Sequence, residues 1–460
     1  MTEYERWLAY PLEDEDLAEE LRAIAGKPAE VSYRFYQNLP FGTGGLSGIL
    51  GAGTNRMNIY TVSLATQGMA DYVKEKFENP SVAIAYDSRI KSDLFANVTA
   101  RVFAANGVKA YLFKELMPTP TLSFAVRQLH CSAGIVITAS HNPSKYNGYK
   151  AYGEDGCQLN PQAAAKVLEL ASKTDIFDGV KKISLEEGLR TGMIEYISDD
   201  LVDEYLDRVF ALRVSKAPVE KSDLKVVYTP LNGTGNKLVR RILQRIGIEN
   251  IAVVREQELP NGHFPTCPYP NPEEKSTLEL GIELCKKIDG DLVLATDPDA
   301  DRVGIAVNHH GEYILPTGNE VAVFETSKGT IRARLFGKGA PVTVGNFVEL
   351  AQKGFYDHQN FHGRVEGDVV VGGCPVTRPL RPQQVRMAVR EQLRGVHPGI
   401  GDAGYVIADE WEANPRNRHV EGSLSLAHKK DANTGSSQFF FSMADHPEYD
   451  DRFAVFGQVG

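Results

Sequence analysis

Hydrophobic and polar positions follow helical spacing in some stretches of this chain and strand spacing in others. Leu17, Leu21 and Ile24 recur on one face between residues 14 and 25 and predict an amphipathic helix, stopped by Gly26 and Pro28. From Ser81 onward, short apolar runs alternate with helix-period segments. SVAIAYD reads as a strand, LFANVTARVFAANG as a helix ended by Gly107, VKAYLF as a strand, TLSFAVRQLH as a helix and AGIVITAS as a strand. This rhythm predicts α/β architecture, with sheets covered on both faces. A second round opens at LKVVYTP (224–230) and closes at DLVLATD (291–297), with the helical KLVRRILQRIG and the proline-rich FPTCPYPNPE between them. The acidic stretch 199–217 reads as an irregular boundary between the two rounds.

Beyond about residue 322 the pattern changes to short strands, glycine turns and aromatics, as in VFETSKGTIRARLF, QFFFSM and RFAVFGQVG. A separate, mainly β domain is predicted. Within it, 376–398 (VTRPLRPQQVRMAVREQLRGVHP) has helical spacing, with Val385, Val389 and Leu393 on one face. Arg378, Arg381, Arg386, Arg390 and Arg394 are dispersed around them. A solvated surface helix is the plain reading of this stretch, and an anion or partner patch is the other.

Composition narrows the picture. At 460 residues the chain should hold about two to four domains. No run of about 18 apolar residues is present, so no membrane span is expected. The opening MTEYERWLAYPLEDEDL is acidic and unlike a signal peptide. Cys131, Cys157, Cys267, Cys285 and Cys374 lie far apart without a C-x-x-C pair. They read as reduced, buried, inert thiols of a cytoplasmic protein. A net charge of −10 argues against general nucleic-acid binding but leaves room for an anionic substrate.

Two motifs carry candidate chemistry. Thr138-Ala139-Ser140-His141-Asn142-Pro143 follows the apolar GIVIT, which places Ser140 at a strand end where α/β sheets bind ligands. A serine hydroxyl can take and return a phosphoryl group. His141 and Lys150 follow closely enough to move protons or neutralise charge. Asp297-Pro298-Asp299-Ala300-Asp301-Arg302 follows DLVLAT. Its three carboxylates can converge on a hard cation such as Mg²⁺, with Arg302 beside a phosphate. A solvated acidic turn, or an aspartyl-phosphate phosphatase with Asp297 as nucleophile, are the rival readings.

TASHNPSKYNGYK and DPDADRVG occur with FGTGGL, YDSR, MPTP and TPLNGTGN in the order and near the spacing of the α-D-phosphohexomutases. The first 322 residues resemble the bacterial phosphoglucomutase/phosphomannomutase type. The resemblance implies two α/β/α domains, 1–205 with a phosphoserine at Ser140 and 206–305 with the metal loop, followed by the remnant of a third at 306–322. It implies Mg²⁺ held by Asp297, Asp299, Asp301 and the serine phosphate, and His141, Lys150 and Arg302 near the reacting oxygens. Arg56 and Arg89 would serve the substrate, a hexose phosphate whose phosphate moves between C1 and C6 through a bisphosphorylated intermediate. Two departures stand out. Ser47 replaces an arginine that neutralises the active-site phosphate, and the family's later sugar- and phosphate-gripping loops have no counterpart, so mutase turnover is expected to be impaired.

Residues 323–460 resemble a cyclophilin-type peptidyl-prolyl isomerase through VFETSKGTIRARLFGKGAPVTVGNFVELAQKGFYD, GGCP, GYVIADEW, GSLSLAH, GSSQFFF and FAVFGQV. That implies a closed β-barrel of roughly eight strands, its first helix at 341–353, and proline-containing peptides as partners. An isomerase must weaken amide resonance, the origin of a barrier of about 18–20 kcal/mol. Gln438 and Phe440 match the substrate glutamine and the proline-pocket phenylalanine, while His362 and Phe453 fall at further binding positions. The catalytic arginine is displaced by one residue to Arg364, which a bulge at Gly363 could correct. Val371 and Asp368 stand where the family has a glutamine and an aromatic. The alternatives are a non-catalytic or vestigial binding protein and an artefactual join of two fragments.

Overall fold

The computed structural model describes residues 1–42, 44–213, 223–309, 311–315, 321–337, 339–364, 367–390, 395–412, 414–429 and 431–459. It divides into two compact units, Met1–Leu315 and Pro316–Gly460.

The predicted apolar runs of the first unit become strands because both of their faces are buried. Its first sheet contains β1 (Gly45–Ile49), β2 (Ser81–Tyr86), β3 (Lys109–Leu112), β4 (Ala133–Ile137), β5 (Tyr146–Gly153) and β6 (Ile194–Tyr196). The order is β1-β5-β4-β2-β3-β6, parallel from β4 through β2 and β3 to β6 and antiparallel at β5 and β1. Alternation sends Val82 and Ile84 into one core and Ala83 and Ala85 into the other. Helices Ile59–Lys76 and Ser92–Ala105 cover the first face, and Thr119–Gln128 and Asp199–Ala211 cover the second.

The second sheet holds β7 (Val226–Thr229), β8 (Ile251–Val253), β9 (Leu292–Thr296), β10 (Val303–His309) and β11 (Glu312–Ile314), in the order β11-β10-β9-β7-β8. Helix Lys275–Ile288 packs Leu278, Ile282 and Cys285 against it. The amphipathic helix read near the start is Glu15–Ala23, with Asp14 as its cap and Leu17 and Leu21 buried. Two flanking helices, Glu3–Ala9 and Pro28–Phe35, were not read from the sequence; the first buries Trp7.

Several expectations need correction. The stretch 199–211 is helical rather than irregular, because Leu201, Val202 and Leu206 are buried on one face. Residues 214–217 lie outside the described residues, as do 316–320. Within 306–322, expected to be the remnant of a third domain, residues 306–309 and 312–314 are strand residues of the second sheet, where β10 pairs with both β9 and β11. Cys157 is exposed, whereas the other four free cysteines are buried.

The second unit is a curled antiparallel sheet. Its strands are β12 (Val321–Thr326), β13 (Gly329–Leu335), β14 (Gly363–Arg364), β15 (Val369–Gly372), β16 (Ser423–Leu426), β17 (Phe439–Ser442) and β18 (Val455–Val459). They run in the order β12-β13-β18-β16-β17-β15-β14, seven strands against the roughly eight expected, and no pairing joins β12 to β14 among the described residues. Phe324, Phe347, Phe439, Phe441 and Phe456 fill the interior, Phe347 coming from helix Pro341–Gln352. Among the described residues of the basic segment only Pro382–Val389 is α-helical. Its buried side chains are Val385 and Ala388, while Val389, expected on the apolar face, is exposed, and Leu393 and Arg394 lie outside the described residues. Among the described residues no helix is long and apolar enough to cross a membrane.

Candidate functional site

The loop after β4 and the loop after β9 meet. Ser140 Oγ donates to Asp297 Oδ2 at 2.8 Å. Ser140 stands at φ 51°, a left-handed conformation that costs an L-residue about 1–2 kcal/mol. Side chains beneath the loop hold it there. The Ser140 N–H donates to Thr138 Oγ1 (2.8 Å), and Thr138 Oγ1 donates to the buried Asp87 (2.7 Å). Asp87 also accepts from Ser92 Oγ and the Arg89 N–H. Gly148 lets β5 pass close by, since a Cβ there would lie 2.4 Å from the Thr138 carbonyl oxygen.

Arg89 lies under the same loop. Its Nη1 donates to the carbonyls of Pro143 and Tyr146, both at 3.1 Å, and its Nη2 to those of Ser140 and Asn142. The Phe264 ring lies 5.1 Å from the guanidinium, and Arg89 is 3% exposed. Expected at the substrate, Arg89 is instead committed to backbone carbonyls and acts as a positioning residue. Replacing it with Met leaves four buried carbonyls without their donor and should cost about 3 kcal/mol or more. Urea unfolding would read that loss, and Arg89→Lys should recover only part of it, because an ammonium cannot span the same four acceptors.

Around Ser140 stand cations and carboxylates. Lys150 Nζ lies 2.8 Å from Asp299 Oδ2 and 3.2 Å from Asp301 Oδ2. Burial opposes the Lys150 charge, but Asp299 and Asp301 override it and raise its pKa. Burial, then Asp299 and Asp301, push Asp297 up; burial acts the same way on Asp299, but Lys150 prevails and holds it down. His141 Nδ1 is 3.4 Å from Ser140 Oγ, and burial followed by Arg302 lowers its pKa, so the ring is neutral near pH 7. The Arg302 N–H donates to Asp297 Oδ1 at 3.0 Å, and its side chain is 40% exposed.

One carboxylate oxygen each from Asp297, Asp299 and Asp301 lies within 4.8 Å of the others. Asp299 Oδ1 is buried and has no hydrogen-bond partner. An orphaned carboxylate oxygen in an all-oxygen cluster fits a hard divalent cation.

In the second unit, the residues flanking Phe440 point inward and Phe440 points outward. Its ring stacks on His419 (5.9 Å, 14°) and meets Phe453 edge-on at 5.3 Å. Gln438 Nε2 donates to the carbonyls of Gly399 and Gly401, each at 2.8 Å. His362 is half-buried, and that burial lowers its pKa. At β14 Gly363 lies opposite Val371 and Arg364 opposite Val370, while the His362 N–H also donates to the Val371 carbonyl at 3.0 Å, so the ladder is irregular just before Gly363. Val371 in turn faces Phe440, and Val370 faces Phe441. Cross-strand partners share a face, so Gly363 takes the position beside Phe440 and Arg364 stands on the other face. The irregularity before Gly363 does not return Arg364 to the Phe440 face. Asp368 accepts from the Tyr449 hydroxyl (3.4 Å) and lies 3.1 Å from His446 Nε2.

Three family models match the chain. Residues 38–176 match phosphoglucomutase/phosphomannomutase alpha/beta/alpha domain I, 203–311 match domain II, and 321–460 match cyclophilin type peptidyl-prolyl cis-trans isomerase/CLD. The chain joins two phosphoglucomutase/phosphomannomutase domains to a cyclophilin-type domain. Among curated relatives, a phosphoglucomutase of Staphylococcus saprophyticus is 38% identical over 287 residues, covering 62% of this chain and 51% of that protein. A phosphoribomutase of Saccharomyces cerevisiae is 36% identical over 377 residues, covering 75% of this chain and 59% of that protein. The chain thus spans about half the length of the first of these. A solved Thermus thermophilus structure assigned as a phosphomannomutase shares the fold at TM-score 0.50 and 24% identity, covering 60% of this chain and 58% of that one.

Within the mutase-type unit Arg56, expected to serve the substrate, is buried beside Tyr33. Arg56 is 4% exposed, its guanidinium lies 4.6 Å over the Tyr33 ring, and its Nη1 donates to the Asn55 carbonyl. Ser47 is exposed on β1, opposite Gly148. Three contributors escaped the sequence reading: Asp87, Phe264 and Thr119, whose Oγ1 donates to Asp299 Oδ2 at 2.8 Å. YDSR and MPTP contained two of them, but a motif does not say which of its side chains turns inward.

Proposed function

We propose that the mutase-type unit transfers phosphate between Ser140 and a hexose phosphate. The observation that carries this reading is the Ser140 Oγ to Asp297 contact beside three converging carboxylates. Ser140 Oγ attacks the phosphorus of the sugar phosphate, the bond from phosphorus to the sugar oxygen breaks, and the departing oxygen takes a proton. The reverse step rephosphorylates a different hydroxyl. His141, neutral and next to Oγ, accepts the serine proton, and Lys150 and Arg302 offset charge on the transferring group. Asp297, Asp299, Asp301 and the serine oxygen would hold Mg²⁺, which supplies Lewis-acid stabilisation of the phosphoryl oxygens. A cytoplasmic setting suits the free thiols. Intact-protein mass spectrometry after incubation with Mg²⁺ and a hexose 1,6-bisphosphate tests the reading, and a chain that never gains phosphate would sink it.

For the cyclophilin-type unit we propose prolyl-peptide isomerisation over Phe440 and Phe453, with Gln438 and His362 beside them. Arg364 on the far face means weak turnover. Deleting Gly363 shifts the arginine into the position that faces Phe440 and should raise kcat/KM for a proline-peptide substrate about tenfold or more. A protease-coupled assay showing no gain in a folded deletion variant would argue that the displaced arginine is not what limits this site.

A further inference from the structure

The basic segment is joined at both ends to the residues read above as the peptide site. Asn360, two residues before His362, donates through Nδ2 to the carbonyls of Thr377 (2.9 Å) and Leu380 (3.0 Å). At the other end Gln438 holds the carbonyls of Gly399 and Gly401, and the Gly399 N–H points to Cys374 Sγ at 3.2 Å. A Cβ on Gly399 would lie 3.7 Å from His362 Nε2. The anchors therefore lie next to the chain leading to His362 and at Gln438, and helix Pro382–Val389 begins two residues after the Leu380 carbonyl that Asn360 holds.

That helix buries Val385 and Ala388 and exposes Arg386; Arg390, its C-cap residue, is exposed as well. Arg386 and Arg390 are four residues apart, a spacing that places like charges side by side and disfavours the helix slightly. Neither has a carboxylate partner among the described residues. Arg381 is exposed ahead of them, whereas Arg378 turns back to the carbonyls of Gly354 and Phe355. The sequence places five arginines and one glutamate between 376 and 398, in a chain whose net charge is −10. Clustered positive charge on an acidic protein draws anionic partners to it.

We propose that Arg386 and Arg390 form an acidic subsite of the peptide groove, so that the cyclophilin-type unit selects prolines flanked by aspartate or glutamate. This rests on the isomerase reading above and specifies its substrate class. A peptide carboxylate between the two guanidinium groups would also relieve their mutual repulsion.

The test uses the full chain and fluorescence anisotropy with three labelled peptides: one proline flanked by glutamates, one flanked by alanines, and the glutamate peptide with its proline changed to alanine. The acidic proline peptide should bind about three- to tenfold tighter than the neutral one, as expected for two exposed ion pairs. The ratio should shrink as salt rises. It should fall to one or below in R386E/R390E and persist in R386K/R390K, with circular dichroism confirming that both variants fold. Equal binding of acidic and neutral peptides, both requiring their proline, overturns this inference and leaves the isomerase reading standing. Loss of the proline requirement overturns both. Tighter binding of single-stranded RNA or anionic vesicles than of the acidic peptide overturns it in favour of a general polyanion surface.

Discussion

Ser140→Ala should leave the chain without phosphate after incubation with Mg²⁺ and a hexose 1,6-bisphosphate. The substitution removes one hydroxyl and keeps the loop, because the loop is held by Thr138, Asp87 and Arg89 and not by Ser140 Oγ. The expected drop in labelling is about a thousandfold or more, the scale seen when a nucleophile is deleted. Asp297→Asn separates this mechanism from an aspartyl nucleophile. If Asp297 only accepts from Ser140 and holds metal, its amide variant labels slowly and the label remains on Ser140. Label that survives Ser140→Ala and disappears in Asp297→Asn would assign the chemistry to the aspartate.

Lys150→Met is the substitution with the largest expected effect on stability. It removes the ammonium from between Asp299 and Asp301, whose side chains are 0% and 30% exposed. Stripping one partner from a buried ion pair typically costs about 3–5 kcal/mol, because the remaining charge has lost its compensation. The folded pKa of Lys150 is raised, so its contribution is complete below its ordinary value of 10.5 and fades only as pH climbs through the higher folded value. Measurements at pH 7 therefore see all of it. Chelated protein should show the full loss in urea unfolding, and added Mg²⁺ should recover much of it by neutralising the same carboxylates. Asp299→Asn in the Lys150→Met background should recover some without metal. A variant as stable as the parent in chelator would show that the carboxylates are neutralised in some other way.

The α/β rhythm of the first unit was legible because strands buried on both faces read as unbroken apolar runs. Helix Asp199–Ala211 was not, since its acids obscure the spacing of Leu201, Val202 and Leu206. Those acids become intelligible only in three dimensions, where Asp203 and Asp207 pair with Arg241 and Arg245 of the next helix. Ser140 and the three aspartates could be named from their motifs because their chemistry depends on residue type. The task of Arg89 could not, because an arginine reads as a ligand group until burial shows its donors committed to backbone carbonyls. At Arg364 the sequence posed a question that only register answers. One residue of phase decides which face a strand side chain occupies, and the pairing with Val370 and Val371 settles it.

Among the described residues, the buried phenylalanine cluster of Phe347, Phe439, Phe441 and Phe456 is built from the second unit's own side chains. Damage is therefore not pooled. A lesion that empties the phenylalanine core leaves the Ser140 loop on the core of the first unit, and one in the Asp297–Asp301 loop leaves the interior of the curled sheet filled. Each half can decay, or be repaired, independently, so a substitution in one core is expected to change the stability of that unit alone.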